Sequence, residues 1–216
     1  MIDSRGERMF QIYYMGKYRD ESQLIKNQPY PEKATKFKES ADLNKIMLQG
    51  MLIGSPLFLF MLIVGSYRIA SIDYRWQWHF QWLTAGIVYI FLMYSLMIIH
   101  EIIHALCFPM QARKEIWNYL DQGAMFVYCE EKISKSRFII MSLAPAVILG
   151  LIPFIIWYVT APYLTVEVSV CFALLSFTMT FGAVGDFVNV YHAIRQVPKE
   201  AKIFSYGFHS FWIEEK

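Results

Sequence analysis

The 216-residue chain is expected to fold as an all-α polytopic membrane protein. It should have four transmembrane helices and both termini in the cytoplasm. The sequence also allows a short β-hairpin between the second and third helices. Three observations carry this reading. Apolar residues make up 56% of the chain and charged residues only 18%, with a mean hydropathy of +0.33. A soluble domain of this size carries more charge. The apolar residues are gathered into four runs long enough to cross a bilayer. Lysine and arginine alternate in number from one connecting segment to the next. The net charge of +2 is too small to point to nucleic acid.

Residues 1–45 read as a cytoplasmic polar arm, 46–194 as a four-helix membrane domain and 195–216 as a cytoplasmic interfacial tail. The arm has too few aliphatic residues for a core of its own. A short helix over Glu32 to Lys45 could lie along the membrane surface. Nothing in Met1 to Lys45 has the apolar segment or small-residue site of a cleavable leader, so the spans themselves are expected to direct insertion.

The first span runs from Ile46 to Gly65. Gly50, Gly54 and Ser55 give it a small-residue face for close packing, and Pro56 should kink it. Arg68, Asp73 and Arg75 follow in a loop with Trp76, Trp78 and Trp82, the residue type that collects at a membrane–water boundary. The second span runs from Trp82 to about Met110. The polar loop 111–137 contains two short runs, Glu115 to Leu120 and Ala124 to Cys129. Asp121-Gln122-Gly123 between them is the turn that suggests the hairpin. The third span is Phe138 to Val159, with Pro145 and Pro153 inside it. The fourth runs from Leu164 to about Val190. The tail aromatics Phe204, Tyr206, Phe208, Phe211 and Trp212 suggest an interfacial segment.

Lysine and arginine number nine in the arm, two in the first loop, five in loop 111–137, none in the third connection and four in the tail, all 20 of the chain. The excess lies on one side, which puts both termini and loop 111–137 in the cytoplasm. The second and fourth spans then both run outside to inside.

Near the cytoplasmic end of the second span stands His100-Glu101-Ile102-Ile103-His104. Imidazoles four residues apart share one helix face, the spacing at which one zinc ion takes both as ligands. Glu101 between them can serve as a base without displacing a ligand. Such groups are costly against lipid, so an inward-facing use is expected. Catalytic zinc usually takes a third protein ligand and leaves one position open. Asp186 is the expected third ligand: it lies inside the fourth span, toward the same cytoplasmic end. Glu115, Asp121, Glu130, Glu131 and His192 remain as rivals. Asn189, one turn after Asp186, could orient the ligand or help an oxyanion. The three cysteines, Cys107, Cys129 and Cys171, have no regular spacing and make no disulfide framework. Cys107 could approach the same metal but reads better as a small buried residue.

The His-Glu-His motif near the inner end of one span, with Asp186 in a later one, resembles the site-2 protease class of intramembrane zinc metalloproteases. The size, Ser142-Leu143-Ala144-Pro145 and the Gly185-Asp186 pair are similar to a small bacterial family of zincin membrane peptidases. The resemblance covers roughly residues 80–200. It implies a zinc cofactor held by His100, His104 and Asp186, with Glu101 as catalytic base. It also implies hydrolysis of membrane-embedded protein or peptide substrates by a multi-pass protein of the bacterial cytoplasmic membrane. The chain departs from the site-2 pattern in two places. Val184-Gly185-Asp186-Phe187 stands where Leu-Asp-Gly is common, and Leu143-Ala144-Pro145-Ala146 lacks the Gly and the Asn often found in an intervening span. Two other readings make different predictions: a non-catalytic zinc-binding scaffold needs no Glu101, and an ion or metal transporter carries flux.

Overall fold

The computed structural model describes residues 11–26, 29–40, 42–74, 80–119, 121 and 123–214. Of the residues singled out above, Arg75, Trp76, Trp78, Leu120 and Gln122 lie outside the described ones. The fold is mostly helical with two small sheets, in the order β1 (Gln11–Lys17), α1 (Ser22–Ile25), β2 (Thr35–Lys36), α2 (Leu43–Ala70), α3 (Phe80–Cys107), β3 (Arg113–Tyr119), β4 (Ala124–Tyr128), β5 (Ile133–Ser134) and α4 (Lys135–Pro145). A π-helix (Ala146–Leu151), α5 (Ile152–Thr160), a 3₁₀ turn (Ala161–Tyr163), α6 (Val166–Gly182), α7 (Val184–Gln196), β6 (Lys202–Tyr206) and β7 (His209–Ile213) complete it. The chain divides into two compact units, and the division cuts through α3, α4 and α7.

One unit comprises Asp42–His100 and Leu143–Val188. Its helices are the apolar runs of the sequence, and several are longer than the runs. The first reaches from Leu43 to Ala70, and Asp42 caps it by accepting from the Asn44 amide at 2.9 Å. Asp42 rather than Glu32 therefore starts the helix, and the expected surface helix over Glu32 to Lys45 does not form. Pro56 lies inside α2 without ending it. The Leu52 carbonyl, four residues earlier, has no N–H to receive and takes the Ser55 hydroxyl at 2.8 Å instead.

Three helical segments are long and apolar enough to cross a membrane: Asn44–Ala70, Phe80–Cys107 and Lys135–Tyr163. The pair α6 and α7 passes the same test together, with a 41° bend at Ala183, which makes up to four spans. On α3 the side chains of Ile87, Phe91, Tyr94 and Ile98 lie exposed, an apolar face that suits lipid better than water.

Two apolar clusters hold this unit. Phe58, Ala146, Ala183, Val184 and Phe187 form one, and Met61, Phe154, Trp157 and Ala161 the other. Trp157 is fully buried and donates its indole N–H to Ser169 Oγ at 2.9 Å, which satisfies the polar end of the ring. Two glycines are required by closeness. A Cβ on Gly50 would stand 2.2 Å from the Val184 carbonyl oxygen, and one on Gly150 would stand 2.0 Å from Thr180 Oγ1.

The other unit comprises the described parts of Met1–Ala41, Glu101–Ser142 and Asn189–Lys216. The hairpin allowed by the sequence is present: β3 and β4 pair antiparallel from Glu115↔Tyr128 to Tyr119↔Ala124, and Gly123 next to the turn has φ +67°. The all-α expectation stops short here, because the arm and the tail also form strands. β1 joins β3 in parallel, giving the order β1-β3-β4. β2, β7, β6 and β5 form a second sheet, in which β6 and β7 pair antiparallel across Gly207 at φ +56°. Short strands are not stable alone, so the arm takes its partners from distant parts of the chain. Tyr18 and Leu24 bury against Trp117 and Tyr128, and Phe37 buries with Phe108, Phe138 and Ile203. In the tail, Ile203 and Phe211 are each 1% exposed, so part of the segment read as interfacial is core of this unit.

Candidate metal centre

The last turns of α3 carry His100, Glu101 and His104. One continuous helix bears both histidines, so helical geometry alone sets their relation: neighbouring turns of the same face. Glu101 and His104 are buried. Asp186 sits in the first turn of α7, just past the bend at Ala183. A carboxylate there faces the positive end of the helix dipole. Its Oδ2 lies 3.3 Å from His100 Nε2, and both side chains are 13% exposed.

That spacing can be set against an ion. Zinc holds nitrogen and oxygen donors at about 2.0–2.2 Å, so two donors on a tetrahedron stand about 3.3–3.5 Å apart. The His100–Asp186 pair has this separation. His100, His104 and Asp186 each offer a ligand atom, and these atoms all lie within 4.8 Å of one another. Two imidazoles and one carboxylate are a zinc donor set that leaves a fourth position open. The residues present fit the ion.

The second histidine is also oriented. His104 Nδ1 lies 3.0 Å from the main-chain carbonyl of Met141 in α4. A carbonyl only accepts, so Nδ1 carries the proton and donates. In a neutral imidazole that leaves the Nε2 lone pair for a metal. Sequence reasoning passed over this contact. The available signal was Pro145, four residues after Met141, because a proline leaves the carbonyl four residues before it without its helix donor.

The rivals of Asp186 have other partners. Glu115 pairs with Lys26 and with Arg113, whose Nε lies 2.8 Å away. Asp121 pairs with Lys17 at 2.9 Å. His192 meets Gln196 at 2.6 Å and the ring of Phe37. Glu130 and Glu131 are exposed. Cys107 is half-buried beside the cluster built on Phe108 and Phe138, and its carbonyl accepts from Arg137 Nε at 2.6 Å. Asn189 lies half-buried on α7, three residues after Asp186.

The chain is thus largely helical, has apolar helices long enough to cross a membrane, and brings the ligand atoms of His100 and His104 on one helix together with that of Asp186 from a later one, a donor set of the kind zincins use. The chain belongs to the family described as "Putative zincin peptidase", whose family model matches residues 93–202, just over half of its length. Membership implies a zinc cofactor and metallopeptidase chemistry. No curated protein and no solved structure matches the chain.

Proposed function

We propose that the protein is an intramembrane zinc-dependent endopeptidase of the bacterial cytoplasmic membrane that cuts membrane-embedded protein or peptide substrates near the cytoplasmic face. In this reading α2, α3, the segment Lys135–Tyr163 and the bent pair α6–α7 are four spans, with both termini in the cytoplasm. The charge distribution supports this orientation. The observation that carries the reading is the 3.3 Å approach of Asp186 to His100 on the helix that also bears Glu101 and His104.

His100, His104 and Asp186 would hold the zinc. When bound, zinc supplies Lewis acidity, which polarises a carbonyl and makes water a better nucleophile near neutral pH. Glu101 would be the general base. Its carboxylate accepts a proton from the attacking water, holds it at one carboxylate oxygen, and gives it to the nitrogen of the departing amine. The peptide C–N bond breaks and a C–O bond forms, so the products are a carboxylate and an amine. Burial of Glu101 supports this role, because a proton held away from bulk water is delivered to the leaving group. The hairpin supports the substrate side. β4 is an outer strand of its sheet, and an outer strand can hold an unwound substrate segment extended by main-chain hydrogen bonds.

The test is Glu101→Gln in detergent-purified protein. It should keep zinc at the wild-type stoichiometry and lose at least about 100-fold in peptide hydrolysis, the share that general-base catalysis contributes. Normal hydrolysis by this variant removes Glu101 as base. Zinc binding without hydrolysis of any membrane peptide by the wild type favours a zinc-bound scaffold.

A further inference from the structure

We infer that Pro145 is a positioning residue for the zinc site, acting through the carbonyl of Met141 to hold His104 in the tautomer that leaves Nε2 open. The inference rests on the zinc reading above and deepens it. In an α-helix the carbonyl of residue i receives the N–H of residue i+4. Four residues after Met141 in α4 stands Pro145, which has no N–H. The carbonyl is thus left without its helix donor in a place where water is scarce, since Met141 is buried and Pro145 is less than 2% exposed. A buried carbonyl without a partner is costly. His104 Nδ1, 3.0 Å away, supplies the donor.

The two needs answer each other. The carbonyl needs a proton that its own helix cannot give. The imidazole needs a fixed acceptor on Nδ1 so that Nε2 keeps its lone pair. Pro56 shows the same backbone chemistry in a local form, where the Leu52 carbonyl freed by the proline takes the Ser55 hydroxyl on the same helix. At Pro145 the freed carbonyl reaches a histidine on a different helix. The backbone after Pro145 is also held in place. It runs directly into the π-helix Ala146–Leu151, where the Ile152 N–H bonds the Val147 carbonyl, and Gly150 there lies too close to Thr180 to admit a Cβ. The gap in the ladder is therefore built into a fixed stretch of chain.

The test uses full-length protein in lipid nanodiscs with ¹⁵N-labelled histidine, stripped of zinc at about pH 8, where imidazole is neutral. His104 is assigned by loss of its signals in His104→Ala. The wild type should show Nδ1 protonated and Nε2 unprotonated. Pro145→Ala returns an N–H to Met141, so His104 should shift toward the Nε2–H form, and zinc affinity by chelator competition should fall about 10–100-fold. Asp186→Ala should lose zinc yet keep the wild-type tautomer, which separates positioning from a general loss of the site. An Nε2-protonated His104 in the zinc-free wild type overturns the inference, and that result does not depend on whether Pro145→Ala folds. Wild-type affinity with an unchanged tautomer in Pro145→Ala overturns it equally. If the wild type takes up no zinc, the peptidase reading fails and the metal-positioning role falls with it, whatever the tautomer.

Discussion

Gly50 on α2 tests how Asp186, the proposed third zinc ligand, is held, because it touches no part of the site. A Cβ added there would stand 2.2 Å from the Val184 carbonyl oxygen and 2.8 Å from its carbonyl carbon. Real Cβ atoms do not approach closer than 3.0 Å, so the two backbones must separate by about 0.8 Å or more. The obstacle is main chain rather than a flexible side chain, so no rotamer change relieves it. Val184 opens α7 and lies two residues before Asp186, on the far side of the bend at Ala183. A shift of that size at Val184 is large against the 3.3 Å between Asp186 and His100.

Gly50→Ala should therefore cost about 1–3 kcal/mol in folding stability by overpacking. It should also weaken zinc by about tenfold or more, since the donor set loses its spacing. Thermal melts of the purified protein, with and without zinc, read the first effect. Chelator competition reads the second. Gly54→Ala is a useful comparison, because the atoms its Cβ would meet are the rings of Phe58 and Phe187, which can turn aside. Equal melting temperature and equal zinc affinity for Gly50→Ala and wild type would refute the argument that this helix contact sets the position of Asp186.

Two further predictions concern the unit that carries the sheets. Burial alone would raise the Glu115 pKa, but Lys26 and Arg113 outweigh it and hold the carboxyl below its ordinary range. A carboxylate depressed on folding adds stability above its unfolded pKa and loses it as pH falls through the folded one. Acid unfolding of the sheet unit should therefore flatten in Glu115→Gln, with a loss of about 1–3 kcal/mol at neutral pH; an acid limb as steep as that of the wild type, followed by tryptophan fluorescence, contradicts the pairing. Burial also pushes the Cys129 thiol up to about 11, and the residue is 2% exposed. Maleimide at about pH 8 should leave Cys129 unmodified in the native protein and label it after denaturation, as read by peptide mass; fast native labelling would show that this core is open.

The limits of sequence reading follow from which contacts are local. Glu101 sits between two histidines one turn apart because helical periodicity places them so, whatever they pack against. Gly123 beside the β3–β4 turn is similarly legible, since a positive φ favours glycine. The parallel pairing of β1 with β3 is not legible, because Gln11 and Arg113 become partners across about a hundred residues with no spacing rule between them. The tail shows the same limit. Its aromatics look interfacial by composition, and only the pairing of β6 with β7 makes Phe211 a core residue.

By itself, then, the sequence determined the apolar runs, the excess of positive charge on alternate segments, and the pair of imidazoles with a carboxylate between them. These are properties of neighbouring residues and of helix geometry. The sequence favoured Asp186 by its place in the fourth span, but the tertiary structure decided that it rather than Glu115 or His192 meets His100, and it alone decided that the Met141 carbonyl meets His104. Both depend on close approach of segments remote along the chain, at Gly50 against Val184 for one and at the helix gap left by Pro145 for the other. Such meetings are governed by excluded volume and by unmet hydrogen bonds, which take effect only once the helices are packed.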